Sequence, residues 1–506
     1  MQDRFRANHR YCRVVNRDCP DYADEIFSSV AIPILMTSYR PTFRSAIRGH
    51  HWPAVVDARG HTLLALAFQL ERSQWLSPDA LVTQQRQQVE SLLEHAYQST
   101  PFYRERLDRL GFDAERLAGD AWLTVPLLTR EDLQLAGDRI QSTAIPAEHG
   151  GVTPCVTSGS TGKPVSVTLT GLTDLFWQAM TLRDHLWHER DFSGHLAAIR
   201  ATNSDHALPP HGTRAAHWGQ ATAYLFETGG ASLLSIRATI DEQARWLHEL
   251  NPEYLLTYPS NFAALSRYMQ SNQLGLSRLR EVRTMGEAID PTLRQRCQDD
   301  WGVRLTDTYS CQEAGYLAIE CPQSTHYHVQ SESVLLEVLD DAGRPCKPGE
   351  IGRVVITALH NYATPLIRYE IGDYAEVGES CSCGRGLPIL RRVMGRRRNM
   401  FVTPDGAMRW PALEVDPRAR LADLPPVRQF QVIQRSLDEI EAVLAVYRPL
   451  TREEEQGLSA WFAHCLNYHD FRIRFTYVDH IAAGAGGKYE DFRSDVIWPG
   501  AGAVHS

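Results

Sequence analysis

The feature that most constrains the fold is a run of alternating strands and helices between Leu196 and Gln270. Leu196-Ala197-Ala198-Ile199 reads as a strand, and so does Ala231-Ser232-Leu233-Leu234-Ser235. Ile240 to Leu250 reads as a helix and Tyr254-Leu255-Leu256-Thr257-Tyr258 as a strand. Pro259-Ser260 then opens a helix from Asn261 to Gln270, with Ser260 or Asn261 as its cap. Strands that alternate with helices are expected to align in a largely parallel sheet covered by those helices. Ligands of such sheets collect at the carboxyl ends of the strands.

The texture differs on either side. Residues 1–80 mix polar segments, Trp52, Trp75 and prolines, and suggest short helices with no chemistry assigned. Residues 84–111 carry Val89, Leu92, Leu93 and Ala96 at helical spacing, with a break at Ser99-Thr100-Pro101. From Leu335 the chain becomes rich in hairpins, around Asp340-Asp341-Ala342-Gly343 and Gly352 to Thr357. From about Arg396 a smaller α+β unit follows, with strands at Val427 to Gln434 and Ile440 to Val446 and a helix at Thr451 to Leu466. The fold class expected is α/β: a large domain over residues 1–395, with a poorly assigned extension at 1–80 and a β-rich subdomain, then a small mobile domain over 396–506.

A net charge of −9 argues against a general nucleic-acid surface. The densest basic run, Arg391-Arg392 with Arg396-Arg397-Arg398, is local. The apolar run Val30 to Met36 is short and broken by Pro33, so no membrane span is expected. Ten cysteines without a secretory signal suggest a reduced, cytoplasmic chain, in which clustered cysteines serve as metal ligands or core residues.

Six stretches carry chemistry. Thr157-Ser158-Gly159-Ser160-Thr161-Gly162-Lys163-Pro164 packs hydroxyls, glycines and one cation ahead of the alternating run Val165 to Leu169. A glycine-rich turn lets backbone N–H groups approach phosphate oxygens. It is not the P-loop of nucleotidases, because no Ser or Thr follows the lysine. Gly286-Glu287 follows the strand Val282 to Met285, as either a close-approach glycine or an ordinary turn. Glu313 ends Thr308-Tyr309-Ser310-Cys311-Gln312-Glu313 and supplies the anionic oxygen that a hard cation requires. Asp373 in Arg368-Tyr369-Glu370-Ile371-Gly372-Asp373 is a two-oxygen acceptor or a turn aspartate. Lys488 stands in a glycine loop, Gly484 to Tyr489. Cys321, His326 and His328 precede Cys381-Ser382-Cys383-Gly384, and three thiols with one imidazole can form a tetrahedral structural Zn²⁺ site.

Together these stretches resemble the adenylate-forming superfamily of acyl-CoA synthetases and adenylation domains, from about residue 84 to 495. "HAYQSTPFYRERLDRLGFD" followed by "VPLLTREDL" is similar to the phenylacetate–CoA ligase branch. The resemblance implies that Thr157, Ser158, Gly159, Ser160, Thr161, Gly162 and Lys163 hold ATP phosphates. It implies that Gly286 and Glu287 suit the floor of an adenine or acyl pocket, that Tyr309 packs against the adenine, that Glu313 holds Mg²⁺, and that Asp373 and Arg396 hold the ribose. Lys488 would bridge the substrate carboxylate and the α-phosphate. Tyr224, Phe226, Thr228, Gly229 and Gly230 resemble the wall of the acyl pocket, and Cys321, His328, Cys381 and Cys383 the relatives' zinc ligands. The chain departs from the pattern at Ser310, Gln312, Glu370-Ile371 and Arg397-Arg398-Asn399-Met400, the last of these where the family has an acidic hinge.

The expected function is ATP-dependent activation of a carboxylic acid, by analogy an aryl acid, as its acyl-AMP, then transfer to CoA. Two alternatives stand: transfer to a carrier-protein thiol or an amine, and a non-catalytic nucleotide-binding protein. A small acid and CoA or a carrier protein are the expected partners, with a homodimer left open.

Overall fold

The structure, a computed structural model, describes residues 41–156, 165–202, 204–289, 291–396, 399–406, 408–409, 411, 426–466, 468–481 and 492–496. In chain order the helices are α1 (Ala58–Ser73), α2 (Pro78–Ser99), α3 (Pro101–Asp108), α4 (Ala114–Ala118), α5 (Arg130–Ala136), α6 (Gly171–Trp187), α7 (Gln220–Ala223), α8 (Ile240–Leu250), α9 (Pro259–Ser271), α10 (Pro291–Trp301) and α11 (Arg452–Cys465). The first ten strands are β1 (Val152–Val156), β2 (Ser166–Thr170), β3 (Leu196–Arg200), β4 (Thr213–Ala215), β5 (Ala231–Ser235), β6 (Tyr254–Thr257), β7 (Glu281–Met285), β8 (Arg304–Cys311), β9 (Gly315–Glu320) and β10 (Tyr327–Val329). The others are β11 (Val334–Leu339), β12 (Ile351–Ala358), β13 (Tyr369–Val377), β14 (Ile389–Arg396), β15 (Phe401–Val402), β16 (Met408–Arg409), β17 (Val427–Gln434), β18 (Glu439–Val446), β19 (Arg472–Val478) and β20 (Phe492–Ser494).

One twelve-stranded sheet organises the body, in the order β11-β12-β13-β14-β10-β9-β8-β7-β6-β3-β5-β4. Its centre, β8-β7-β6-β3-β5, is parallel, as the strand–helix alternation requires. The flank from β9 to β11 is antiparallel, and so is β4 at the far edge. The change from parallel to antiparallel falls at β8–β9, where a direct turn replaces the crossover helix.

Local signals fix the helices well. In α8 the Thr239 hydroxyl accepts from the Glu242 N–H while the Glu242 carboxylate accepts from the Thr239 N–H, a capping box that satisfies two orphan donors. Its buried Ala244 and Leu247 join Leu255, Phe262 and Val282 in one core. The start of α9 corrects the sequence reading. Tyr258 occupies the cap position without a side-chain cap, and the Ser260 N–H donates instead to Glu287 Oε2 at 2.9 Å. The cap comes from a different loop, which no local pattern reveals.

The small C-terminal sheet runs β19-β18-β17-β20, with its outer strands parallel to their neighbours. It packs Trp461, Phe462 and Leu458 of α11 against Phe430, Val432 and Leu444. Among the described residues, no helix is long and apolar enough to cross a membrane.

Candidate functional site

The β8–β9 turn places Glu313 beyond the carboxyl end of the last parallel strand. Tyr309, two residues before Cys311 on β8, reaches across to the antiparallel flank, where its hydroxyl donates to Asp373 Oδ2 at 2.8 Å. Arg396, at the end of β14, sets its Nε 2.9 Å from Asp373 Oδ1. Its Nη1 also donates to the Ile371 carbonyl at 3.4 Å. Gly372, with φ +87°, takes a backbone conformation that side-chain-bearing residues rarely adopt, just before Asp373. Three residues far apart in sequence thus share one cluster.

Its electrostatics follow from the geometry. Burial and then the Asp373 carboxylate hold the Tyr309 hydroxyl well above its ordinary range, so it stays protonated and donates. Burial works against the Arg396 cation, but Asp373, Tyr309, Glu313 and Tyr369 together keep its pKa above the usual value. Glu313 is therefore in electrostatic reach of Arg396. Tyr309, Glu313 and Asp373 are buried, whereas the Arg396 side chain is 38% exposed, which leaves the cluster open on one side.

The β1–β2 hairpin approaches the same turn. Cys155 Sγ donates to the Gln312 carbonyl at 3.7 Å, and β1 and β2 pair as far as Val156 and Ser166. Thr157, Ser158, Gly159, Ser160, Thr161, Gly162 and Lys163 follow in the chain but lie outside the described residues, as do Lys488, Arg397 and Arg398. Gly286, with φ +80°, follows the carboxyl end of β7, and Ala288 lies against Gly395, where an added Cβ would stand 3.6 Å from the Ala288 Cβ. Glu287 is committed to the start of α9, with Oε1 accepting from the Ser260 hydroxyl at 3.0 Å.

The expected acyl wall is not brought to this cluster. Gly230 precedes Ala231, the amino end of β5, whose row continues through Leu196, Tyr254, Glu281 and Arg304. From Arg304, β8 runs on to Cys311, roughly 20 Å of strand at about 3.3 Å per residue. Gly229 packs against the Ser193 and Gly194 carbonyls, and Phe226 against Phe43 and Phe192. Tyr224 accepts a hydrogen bond from Arg59 at 2.9 Å, and Thr228 Oγ1 accepts from the Trp218 N–H at 3.2 Å. The local match misleads because a sequence motif carries no information about which end of a strand it precedes.

Sequence reasoning misses two residues beside the carboxyl ends. Trp177 of α6 lies over Gly315, where an added Cβ would stand 3.3 Å from Cε3, and the indole is 40% exposed. The Tyr258 hydroxyl accepts from the Ala201 N–H at 3.1 Å, just past the carboxyl ends of the paired strands β3 and β6. A tryptophan on the outer face of a helix is the sole signal the sequence offers for the first, and it offers none for the second.

The cysteine–histidine halves do meet. Ligand atoms of Cys321, His326, His328 and Cys381 lie within 4.8 Å of one another. Cys383 Sγ is 3.4 Å from His328 Nε2. The backbone N–H groups of Gln323 and Cys383 donate to Cys321 Sγ and Cys381 Sγ at 3.5 and 3.3 Å. Burial pushes the Cys321 thiol up to about 12 and, with His326 beside it, His328 down to about 4. His326 Nε2 is buried without a partner. Crowded sulfurs next to imidazoles that burial keeps neutral fit a divalent cation that would take up thiolate charge. The family resemblance favours His328 of the two histidines that the sequence brings near Cys321, and in the fold both stand in the cluster.

The fold and the cluster define an α/β protein with an open tyrosine–carboxylate–arginine cluster at the carboxyl edge of a parallel sheet. Residues 60–361 match the model of the AMP-binding enzyme family, which is more than half of the chain, and the chain belongs to that family. It is 27% identical over 389 residues to the phenylacetate-coenzyme A ligase of Thermus thermophilus, covering 73% of this chain and 82% of the relative. It is 24% identical over 377 residues to the phenylacetate-coenzyme A ligase of Escherichia coli (strain K12), covering 72% and 82%. The solved 2-hydroxyisobutyryl-CoA ligase, in complex with an acyl-AMP in its postadenylation state, shares the fold, with TM-score 0.64 over 84% of this chain and 91% of that one at 18% identity.

Proposed function

We propose that this protein is an AMP-forming acid–CoA ligase. A carboxylate oxygen of the acid attacks the α-phosphorus of ATP, the bond to the β-phosphate breaks, and pyrophosphate leaves. The sulfur of CoA then attacks the acyl carbon of the acyl-AMP, and AMP leaves. The observation that carries this reading is the Tyr309–Asp373–Arg396 cluster, open at the carboxyl edge beside Glu313.

Asp373 offers two carboxylate oxygens as acceptors for ribose hydroxyls, oriented by Tyr309 and Arg396. Glu313 holds the Mg²⁺ that accompanies ATP, as a hard anionic ligand. The loop Thr157 to Lys163 cradles phosphates. Lys488 offsets charge that builds on the phosphoryl oxygens in the transition state. Residues 1–395 form the large domain and 396–506 the small one that carries Lys488. The cysteine–histidine cluster holds a structural Zn²⁺, and its reduced thiols suit a cytoplasmic setting. The acid is an aryl acid, a choice supported by the names of the curated relatives.

Acid-dependent ATP–pyrophosphate exchange across aryl and short-chain acids tests the reading. Exchange with an aryl acid, followed by CoA consumption, is the expected outcome. Exchange without CoA consumption moves the acceptor to a carrier protein or an amine. ATP binding without exchange for any acid returns the chain to a non-catalytic role.

A further inference from the structure

The turn that presents Cys381 and Cys383 is also a seat for the N-terminal helices. Arg385 lies between two indoles, with its Cζ 4.9 Å from the Trp75 ring centre and 4.3 Å from that of Trp187. Its Nε donates to Gln74 Oε1 at 2.8 Å, and the Gly386 N–H donates to the Gln74 carbonyl at 2.9 Å. A Cβ on Gly386 would stand 1.8 Å from the Leu76 carbonyl oxygen, so only glycine permits this approach. Gln74-Trp75-Leu76 is the corner between α1 and α2, and it rests on the Gly384–Gly386 backbone.

The helix it steadies is held along one face, with Arg59 on Tyr224 near its start and Arg183 on the Leu70 carbonyl near its end. α1 buries Gly60, Leu63 and Leu70, while Leu64 and Phe68 face outward. Leu63 and Leu70 pack with Ala179, Met180 and Leu182 of α6. One polar clasp helps: the Ser73 hydroxyl donates to Glu332 Oε1 at 2.5 Å, and Arg183 pairs with the same carboxylate at 2.8 Å. Half-buried Leu66 and Ala67 add to this contact, but nine of the sixteen residues of α1 are exposed, a thin basis for ordering the helix. The Cys381–Gly386 turn has no core of its own, since its side chains are thiols, a serine, an arginine and glycines.

We propose that Zn²⁺ bound by Cys321, His328, Cys381 and either His326 or Cys383 fastens the α1–α2 corner to the body. This rests on the metal reading above. The ion fixes the turn, the turn aligns Arg385 and Gly386, and these hold Gln74-Trp75-Leu76. Trp75 and Arg385 are the chain's own coupling residues, and neither is a ligand.

Hydrogen exchange read by mass spectrometry on the full chain tests this, with zinc content measured on the same samples. One Zn²⁺ per chain is expected. Stripping it with a chelator should raise exchange over residues 58–77 on the order of tenfold, with restoration by Zn²⁺ alone and no change in α11. Arg385→Ala should keep its zinc and show the same raised exchange over 58–77. Zinc bound stoichiometrically, with exchange over 58–77 indifferent to its removal and to Arg385→Ala, would overturn the fastening while leaving the metal site intact. No bound zinc at all would overturn both.

Discussion

Two clusters on the same sheet use the same side chains to different ends. Beneath α6, Arg190 pairs with Glu281 at 2.7 Å and with Asp184 at 3.0 Å, and Arg283 pairs with Asp184 as well. Thr306 completes the set by accepting from Arg190 Nη2 at 3.1 Å. Two arginines face two carboxylates, and all four are buried. Burial opposes ionisation of Asp184, yet Arg190 and Arg283 hold its carboxyl well below the usual range. At the carboxyl edge, Asp373 meets one arginine and one hydroxyl, and that arginine is partly in solvent. A closed, charge-matched cluster is structural because no ligand can enter without breaking a pair. An open one with carboxylate lone pairs to spare is ready for hydroxyl donors.

The comparison breaks most visibly at Arg190. Arg190→Met leaves the buried Glu281 with only the Thr306 hydroxyl and the more distant Arg304, takes one of two arginines from Asp184, and should cost roughly 3–5 kcal/mol of stability, read from urea unfolding. If this variant unfolds at the wild-type midpoint, the closed cluster is not what holds α6 to the sheet. At the open end, Lys488→Ala should leave ATP binding nearly intact and lower acid-dependent exchange by about 10²–10³-fold. Unchanged exchange would remove Lys488 from the mechanism. Asp373→Ala should raise the KM for ATP on the order of 10–100-fold with little change in unfolding midpoint. A large loss of stability there would mean that Asp373 belongs with the structural pairs.

The smallest effect is the share of the pH dependence that the closed cluster contributes. Burial and then Arg190 hold His188 below its ordinary pKa, while burial, Arg283 and Arg190 hold His185 far below. The unfolded chain takes up these protons near pH 6.5, whereas the native chain resists until lower pH. The stability they contribute is therefore full above about pH 6.5 and is lost as pH falls below it. Urea midpoints should drop between about pH 7.5 and pH 5.5, and His188→Gln should flatten that slope. A slope unchanged by His188→Gln would place the titrating group elsewhere.

Much of this is legible in the chain. The bounds of α8 can be read to the residue, because its capping box and its buried face are local features. Motifs single out Tyr309, Asp373 and Arg396, and the fold joins them. An equally local match points Tyr224 to Gly230 at the wrong end of the parallel sheet, because the end they occupy depends on the pairing of β5 with β3. Glu287 capping α9 and Arg385 between two tryptophans are not legible, since each depends on partners from another part of the chain.

By itself, the sequence determined the periodic segments, local caps such as that of α8, the parallel core and the hydroxyls, carboxylates, thiols and imidazoles offered for chemistry. Those are properties of neighbours along the chain. Only the tertiary structure decided which charges are closed off and which stay open. It also decided which end of the sheet carries the open cluster and what the cysteine turn rests against. Burial and pairing are set by residues such as Asp184 and Arg283, or Gln74 and Arg385, that the chain separates and only the packed sheet brings together.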